Sequence, residues 1–545
     1  MDAGERLLLT GDEAVGLAAI HCRVFLGTGY PGTPSTEILE YFSHLGGKAQ
    51  WAPNEKVALE VGIGVAFSGA RSLVTMKHVG LNVASDPLFS VAYTGVDGGL
   101  VVVSADDPGM ASSQNEQDNR RYAVAAGVPM FEPSDAQEAY DFTIAAFELS
   151  EKYKIPVLLR MTTRVCHSRT AVVPRKINLS VTEPSYNKSA ETKVLIPAYA
   201  RAAHKRLRKK LSELKDWSEN SAYNYSIMKD RTIGIITSGI SYVHSVEAAP
   251  DVSILKLGFT YPLPMNKIAE FVKSVKRCVV VEEGDPYLYE TIRAAGIPVE
   301  GKSESFRFGE LNVQRVRQII FGGEEVERKI PSGKAPQLCD GCQYRVVYDI
   351  LHKFGCIVAG DIGCYTLGVL PPFNAMDTCL CMGASIGVGL GLRHALPPEQ
   401  ARKVVSVIGD STFIHSGITG LVEMVYNPPP TGHVVIILDN QTTAMTGLQE
   451  HPGTGRKLNH EPTNQVVLEE VVKGVGVKNL YIVEPRVGSD SFEKVLTEAL
   501  NRDALTVIIA RRPCLLASKK LKEFERCEEK QELSSNKEKK QCQAK

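Results

Sequence analysis

Tryptophan is scarce, with two in 545 residues, and neither charge sign is in excess. No stretch approaches the roughly 20 apolar residues of a membrane-crossing helix. Lys plus Arg and Asp plus Glu stand at 62 each, which removes any global electrostatic case for nucleic acid or an anionic membrane as partner. A secretory leader is not expected either, because Glu5 and Arg6 precede a leucine run too short and too charged for one. The 12 cysteines do not follow a disulfide framework: Cys339, Cys342, Cys356, Cys364, Cys379 and Cys381 crowd into 43 residues, which fits reduced, local chemistry. A cytoplasmic protein whose function lies in local sites is expected.

What is present reads as α/β: three doubly wound parallel-sheet domains. Over residues 1–175, apolar runs at Cys22–Leu26, Ser72–Met76, Leu100–Ser104 and Pro156–Arg160 alternate with helix-like segments at Ser35–Leu45 and Asp135–Tyr153. Residues 176–230, with a basic run at His204–Lys215 and little to bury, read as a linker; the basic run could bind phosphates or be a solvated helix face. A middle α/β domain is expected over 231–325, with strands at Thr232–Thr237, Ser253–Leu257 and Cys278–Glu282. A third domain is expected over 335–515, with β-branched runs at Val404–Ile408 and Val434–Leu438 that suit buried parallel strands. The Lys- and Glu-rich tail over 516–545 reads as disordered.

In the third domain, Gly409-Asp410-Ser411 and Asp439-Asn440-Gln441 each follow a predicted strand, with 27 residues between the triplets. Ligands bind at that edge of an open α/β sheet. Magnesium takes octahedral oxygen ligands, with one or two protein groups and the rest from phosphate and water. Asp410 and Asn440 supply such a pair, Thr442 could add its backbone carbonyl, and Gly409 lets the chain approach a phosphate without a Cβ. A lone Gly-Asp-Ser is otherwise an ordinary turn.

Here the chain resembles thiamine-diphosphate enzymes, whose signature is Gly-Asp-Gly followed some 25 to 30 residues later by Asn. Further stretches narrow the resemblance to the indolepyruvate-type alpha subunits of the 2-oxoacid:ferredoxin oxidoreductases. They are Tyr30-Pro31-Gly32-Thr33-Pro34-Ser35, Met76 to Asn82, Gly360 to Tyr365, Cys381 to Ser385, and Thr443 to Gly447 with His451 to Gly455. The resemblance implies domains of the pyrimidine-binding type (1–175) and the diphosphate-binding type (335–515). It also implies oxidative decarboxylation of aryl 2-oxo acids to acyl-coenzyme A, with ferredoxin as electron acceptor and a smaller beta subunit in a hetero-oligomer. Thiamine diphosphate and Mg2+ are the implied cofactors, held by Gly363, Cys364, Cys381, Met382, Gly409, Asp410, Ser411, Asn440 and Thr442, with Asp410, Asn440 and Thr442 on the metal.

For catalysis the resemblance points to Glu55, Thr33 and His78. Glu55 would act on the aminopyrimidine; Glu60 is the competing carboxylate, and a helix-surface glutamate is the plain alternative for either. Thr33 would meet the 2-oxo acid or cap the following helix. His78, with Lys77 and Asn82 nearby, would handle a proton or the substrate carboxylate, or be structural. Relatives acting on pyruvate carry an arginine where Ala105-Asp106-Asp107-Pro108 stands here, so that carboxylate anchor is missing.

Two patterns compete. Gly27 to Gly32 matches the dinucleotide fingerprint, but Pro31 removes a backbone donor and the helix is expected only after Thr33. Cys339, Cys342, Cys379 and Cys381 could hold zinc, or Cys364 and Cys381 could line the cofactor pocket. The family's C-terminal ferredoxin-like module needs closely spaced cysteines, and only Cys514, Cys527 and Cys542 stand there. Its [4Fe-4S] clusters are therefore not expected in this chain. Electrons would leave through another subunit, the chain would be truncated, or it would be a non-oxidative decarboxylase or carboligase. An inactive cofactor-binding scaffold is the remaining alternative.

Overall fold

The computed structural model describes residues 6–175, 183–323 and 337–518. The charged tail from 519 on, with Cys527 and Cys542, lies outside them. The chain divides into two compact units, 1–329 and 330–545.

The first unit contains a seven-stranded sheet. Its spatial order is Phe259–Tyr261, Met130–Phe131, Val157–Thr162, Leu100–Asp106, Ser72–Lys77, Leu26–Gly29 and Ala49–Trp51. Every pairing is parallel except that of Phe259–Tyr261 with Met130–Phe131. The inner strands are buried along their whole length, as a sheet covered by helices on both faces requires. The strand expected at Cys22–Leu26 instead starts at Leu26 and carries two glycines. A Cβ on Gly27 would lie 2.8 Å from Leu39, so glycine there lets the helix Thr36–His44 press on the strand.

A four-stranded sheet follows in the same unit, in the order Arg277–Val281, Asp230–Ser238, Val252–Leu257 and Asn224–Ile227. Ile235, Ile254, Val279 and Val281 pack there against Phe306, Val316 and Ile320. The segment expected as a linker carries a 24-residue helix, Pro197–Asn220. Its Ala203, Leu207, Leu211, Leu214 and Ser218 form a buried stripe at helical spacing while most of the basic residues face outward, Lys210 being half-buried and donating to the Lys154 carbonyl. That stripe makes the helix part of the packed unit. The boundary expected at 230 is also crossed twice, since Asn224–Ile227 joins the middle sheet and Phe259–Tyr261 joins the first.

The second unit is a five-stranded parallel sheet in the order Ile357–Ala359, Val404–Gly409, His433–Asp439, Leu505–Arg511 and Asn479–Val483. Alternate residues of its strands feed two cores. Val434, Ile436 and Leu438 pack with Val347, Leu351 and Phe492 on one face, and Val435 and Ile437 with Leu421, Met424 and Val472 on the other. This α/β architecture places the ends of three neighbouring strands, Ala359, Gly409 and Asp439, along one edge.

Candidate active site

At that edge of the second unit, Asp410 follows the strand Val404–Gly409 and Asn440 follows His433–Asp439. The Gln441 N–H donates to Asp410 Oδ2 (2.8 Å) and the Thr442 N–H to Asn440 Oδ1 (3.1 Å). Gln441 holds a φ of +60°, so the chain reverses between these two bonds. Both side chains are buried and held by this one loop, the Asp410 carboxylate through Gln441 and the Asn440 amide oxygen through Thr442. His451 adds a third contact, with Nε2 3.3 Å from Asp410 Oδ2. Its Nδ1 accepts from the Gly453 N–H (3.2 Å), which leaves the ring proton on Nε2, facing the carboxylate. Spacing alone assigns no role to His451, because the loop that returns it to Asp410 is irregular.

Asp361, past the end of Ile357–Ala359, organises the neighbouring loops. Its carboxylate accepts backbone N–H bonds from Ile362 (2.9 Å), Gly383 (2.9 Å) and Ser385 (3.0 Å). Burial pushes its pKa up, and those three donors oppose the rise. The loop with Gly363 and the helix start after Met382 are thus tied to one anion. The Thr412 and Tyr365 hydroxyls both donate to the Ile362 carbonyl (3.0 and 2.8 Å). A Cβ on Gly409 would lie 2.7 Å from the Tyr365 ring, so glycine there is sterically required. The Ser411 hydroxyl bonds that of Thr443 (2.8 Å).

Beside Asn440 opens a cavity of about 100 Å³, lined among others by Cys339, Cys342, Cys364 and Cys514. Three separate pieces of backbone deliver these thiols, Cys339 and Cys342 coming from one turn. The Cys342 N–H donates to the Cys339 carbonyl (3.1 Å), and the Cys514 N–H to the Asn440 carbonyl (2.9 Å). Gln343 donates to the carbonyls of Asp439 (3.3 Å) and Arg512 (2.6 Å), which fixes the helix start after Cys342. Burial pushes the Cys364 thiol up to about 11, with Cys514, Cys342 and Cys339 adding to the rise. Cys381 is exposed and does not line this cavity, nor does Cys379. The four-cysteine zinc set considered from spacing is therefore not assembled: two of its members stand at the cavity and two stand away from it. Sequence reasoning named Cys339, Cys342 and Cys364 but did not join them to Cys514, which lies 150 residues further on and is brought to the cavity only by the fold.

In the first unit, Thr33, Glu55 and His78 all follow carboxyl ends of the seven-stranded sheet. Asn54 caps the helix Glu55–Phe67 by accepting from the Val57 N–H (3.0 Å). Glu55 is 5% exposed, and a Cβ on Gly80 would lie 2.5 Å from Glu55 Oε1. Its carboxyl therefore lies against the backbone of the helix His78–Val83. Glu60 is different: its side chain is 44% exposed and pairs with Lys56. The helix after Thr33 starts at Thr36 with Ser35 as cap, and the Thr36 hydroxyl accepts from the Gly32 N–H (3.0 Å). Thr33 is thus not the cap, and the late helix start also removes the dinucleotide reading.

His78 is fully buried, with Nε2 3.2 Å from the Asn115 carbonyl and Nδ1 without a partner. Burial pushes its pKa down, and Lys77 pushes it further. The Lys77 ammonium donates to the Ser112 carbonyl (2.8 Å), and its Cβ would lie 2.9 Å from a Cβ on Gly32. Where an arginine was expected to be missing, Asp106 is fully buried and bonded to Arg160 (2.7 Å). Asp107 instead caps its own loop, accepting from Ser112, Ser113 and Thr163.

Residues 361–510 match the model for the thiamine pyrophosphate enzyme, C-terminal TPP binding domain, and residues 16–216 that for pyruvate flavodoxin/ferredoxin oxidoreductase, thiamine diP-bdg. Indolepyruvate oxidoreductase subunit IorA of Archaeoglobus fulgidus is 40% identical over 550 residues, covering 94% of this chain and 87% of that one. The IorA subunit of Methanothermobacter thermautotrophicus is 41% identical, covering 94% and 88%. The chain belongs to the IorA family. As an IorA-family chain it is a thiamine-diphosphate-dependent 2-oxoacid oxidoreductase subunit. A 2-oxoglutarate:ferredoxin oxidoreductase from Magnetococcus marinus shares its fold, at a TM-score of 0.50 and 21% identity, over 58% of this chain and 66% of that one. No helix among the described residues of this IorA-family chain is long and apolar enough to cross a membrane.

Proposed function

We propose that the chain is the catalytic subunit that converts aryl 2-oxo acids of the indolepyruvate kind to acyl-coenzyme A, acting with a smaller beta subunit and ferredoxin. A 2-oxo acid and coenzyme A give the acyl thioester, carbon dioxide, a proton and two electrons, which two ferredoxins accept one each. The observation that carries this reading is the paired Asp410 and Asn440 at adjacent strand ends, an oxygen-only donor set that suits Mg2+ beside a diphosphate. Thr442 completes the protein's share of that site. Gly363, Cys364, Met382, Gly409 and Ser411 are its neighbours along the same sheet edge, and Cys381 stands at its exposed margin.

Bound thiamine diphosphate supplies the nucleophilic carbon. Glu55, held out of water against Gly80, would keep a proton at N1′ of the aminopyrimidine. Thr33 would donate its hydroxyl to the 2-oxo acid, and Lys77, beneath the Thr33 loop, would face the substrate carboxylate. Burial holds the His78 pKa below its usual value, and the ring would serve as a hydrogen-bonding wall. With Lys77→Ala, the KM for the 2-oxo acid is expected to rise ~10- to 100-fold, the worth of a charged hydrogen bond, with cofactor affinity unchanged. Burial lowers the pKa of Lys77. Its charge is present below that pKa and lost as pH rises through it, so KM should climb at a lower pH than an ordinary lysine would give. A flat alkaline KM profile would remove Lys77 from this role.

A route for the electrons through the four-cysteine cavity goes with this reading. Cys339, Cys342, Cys364 and Cys514 match the ligand number of a [4Fe-4S] cluster, and a cluster there would supply an electron acceptor within this chain. Protein purified without oxygen is expected to hold iron and sulfide at about four each per chain, and Cys342→Ala to lose most of both. The decisive assay incubates the protein, with and without its co-purifying partner, with thiamine diphosphate, Mg2+, coenzyme A and indolepyruvate. Acyl-coenzyme A with viologen reduction is expected. Aldehyde without viologen reduction in the presence of the partner would establish the non-oxidative alternative instead.

A further inference from the structure

We propose that Asp12, Glu37 and His167 form a site for one divalent first-row transition ion, with Zn2+ the best match. Three elements deliver the donors: the first turn of the helix Gly11–His21, the first turn of Thr36–His44, and the end of the short helix Thr163–His167. One ligand atom from each lies within 4.8 Å of the others.

Asp12 is the buried member of the three. It is 1% exposed, neither of its carboxylate oxygens makes a hydrogen bond of normal geometry, and the Cys166 thiol and the Glu37 carboxylate lie beside it. Among the described residues no lysine or arginine pairs with Asp12 or Glu37. A buried carboxylate without partners is unfavourable unless a proton or a metal joins it. Burial pushes the Asp12 carboxyl well above its usual range, with Glu37 and Glu13 adding to the rise, so an ion would enter by displacing a proton. The site is also held in place by the backbone. A Cβ on Gly11 would lie 2.2 Å from the Val165 carbonyl oxygen, so only glycine lets the helix start close against the segment leading to His167.

Glu37 and His167 are exposed and can swing inward to bonding distance of an ion, about 2.0–2.2 Å, while water takes the outer position. An imidazole beside two carboxylates selects zinc, cobalt or manganese over magnesium and calcium. Because Glu37 follows Thr33 by four positions, the ion would fasten the helix behind the Tyr30–Ser35 loop to the helix Gly11–His21.

The test uses the full chain carrying Asp410→Ala, Cys342→Ala and Cys514→Ala, so that neither the proposed magnesium site nor the cysteine cavity contributes, stripped of metal and titrated with Co2+ alone by equilibrium dialysis. The parent is expected to bind one Co2+ that His167→Gln, Glu37→Gln and Asp12→Asn each weaken ~10-fold or more. Zn2+ should raise the melting temperature of the parent and not that of His167→Gln. Glu37 and His167 lie at the surface, so their variants fold even if Asp12→Asn does not. Equal Co2+ binding by the parent and His167→Gln, or none by the parent, would overturn the proposal.

Discussion

Replacing Asp410 with alanine is expected to weaken thiamine diphosphate binding at least ~100-fold and to abolish its dependence on magnesium. The reason is the oxygen count. Magnesium keeps several waters and takes only one or two protein ligands beside its phosphates, so losing one of the proposed pair leaves Asn440 unable to hold the ion alone. Asp410 also accepts the Gln441 N–H, and that donor would be left unmet at a cost of about 1–3 kcal/mol. The Asn440 amide, turned by the same loop, would then lose its orientation. Asp410→Asn separates the two effects: it retains an acceptor for Gln441 but lacks the charge, so it should bind the cofactor better than the alanine variant and worse than the parent. Isothermal titration with and without magnesium reads both. If the alanine variant binds the cofactor with undiminished magnesium dependence, the metal lies elsewhere.

Glu55→Gln is expected to bind thiamine diphosphate normally and to lose ~100- to 10,000-fold in the rate at which the cofactor's C2 proton exchanges with solvent, the usual range for a general acid–base group. Glutamine keeps the size of the side chain, so the packing against Gly80 survives and the effect is one of proton transfer alone. Exchange followed by NMR in deuterium oxide measures it without turnover, electron acceptor or partner subunit. Glu60→Gln is the control: its carboxylate is exposed and paired with Lys56, and such surface pairs contribute little. If Glu60→Gln stops exchange and Glu55→Gln does not, the roles are reversed.

The runs Val404–Ile408 and Val434–Leu438 were legible as buried strands because β-branched residues dominate them, and the structure has strands at Val404–Gly409 and His433–Asp439. The helix-like segment at Asp135–Tyr153 was legible from its length, and in the structure Asp135 caps the helix Ala136–Tyr153 by accepting from the Glu138 N–H. The strand at Leu26–Gly29 was misplaced because glycine scores poorly in strands, and only the approach of Leu39 and Phe42 explains it. The helix Pro197–Asn220 was read by its charges, which face water, rather than by its sparse leucines, which face the unit. Within the candidate sites, residues adjacent to strand ends were found, since topology fixes that edge. Lys77, His451 and the cysteine cavity were not assigned, because each depends on where a loop returns.

The strand Phe259–Tyr261 sits in sequence inside the middle sheet's segment yet pairs with Met130–Phe131 at the border of the first sheet. Phe259 meets the rings of Phe131 and Trp217 edge to face there, and Arg120 reaches Glu282 (2.7 Å) from the first sheet's side. Neither sheet is therefore a separable module. A fragment ending at residue 230 would expose the Met130–Phe131 border and the ring of Phe131 to solvent, and an uncovered border of this kind recruits neighbouring chains. Such a fragment should self-associate in light scattering. The intact first unit, by the same coupling, should melt in a single calorimetric transition.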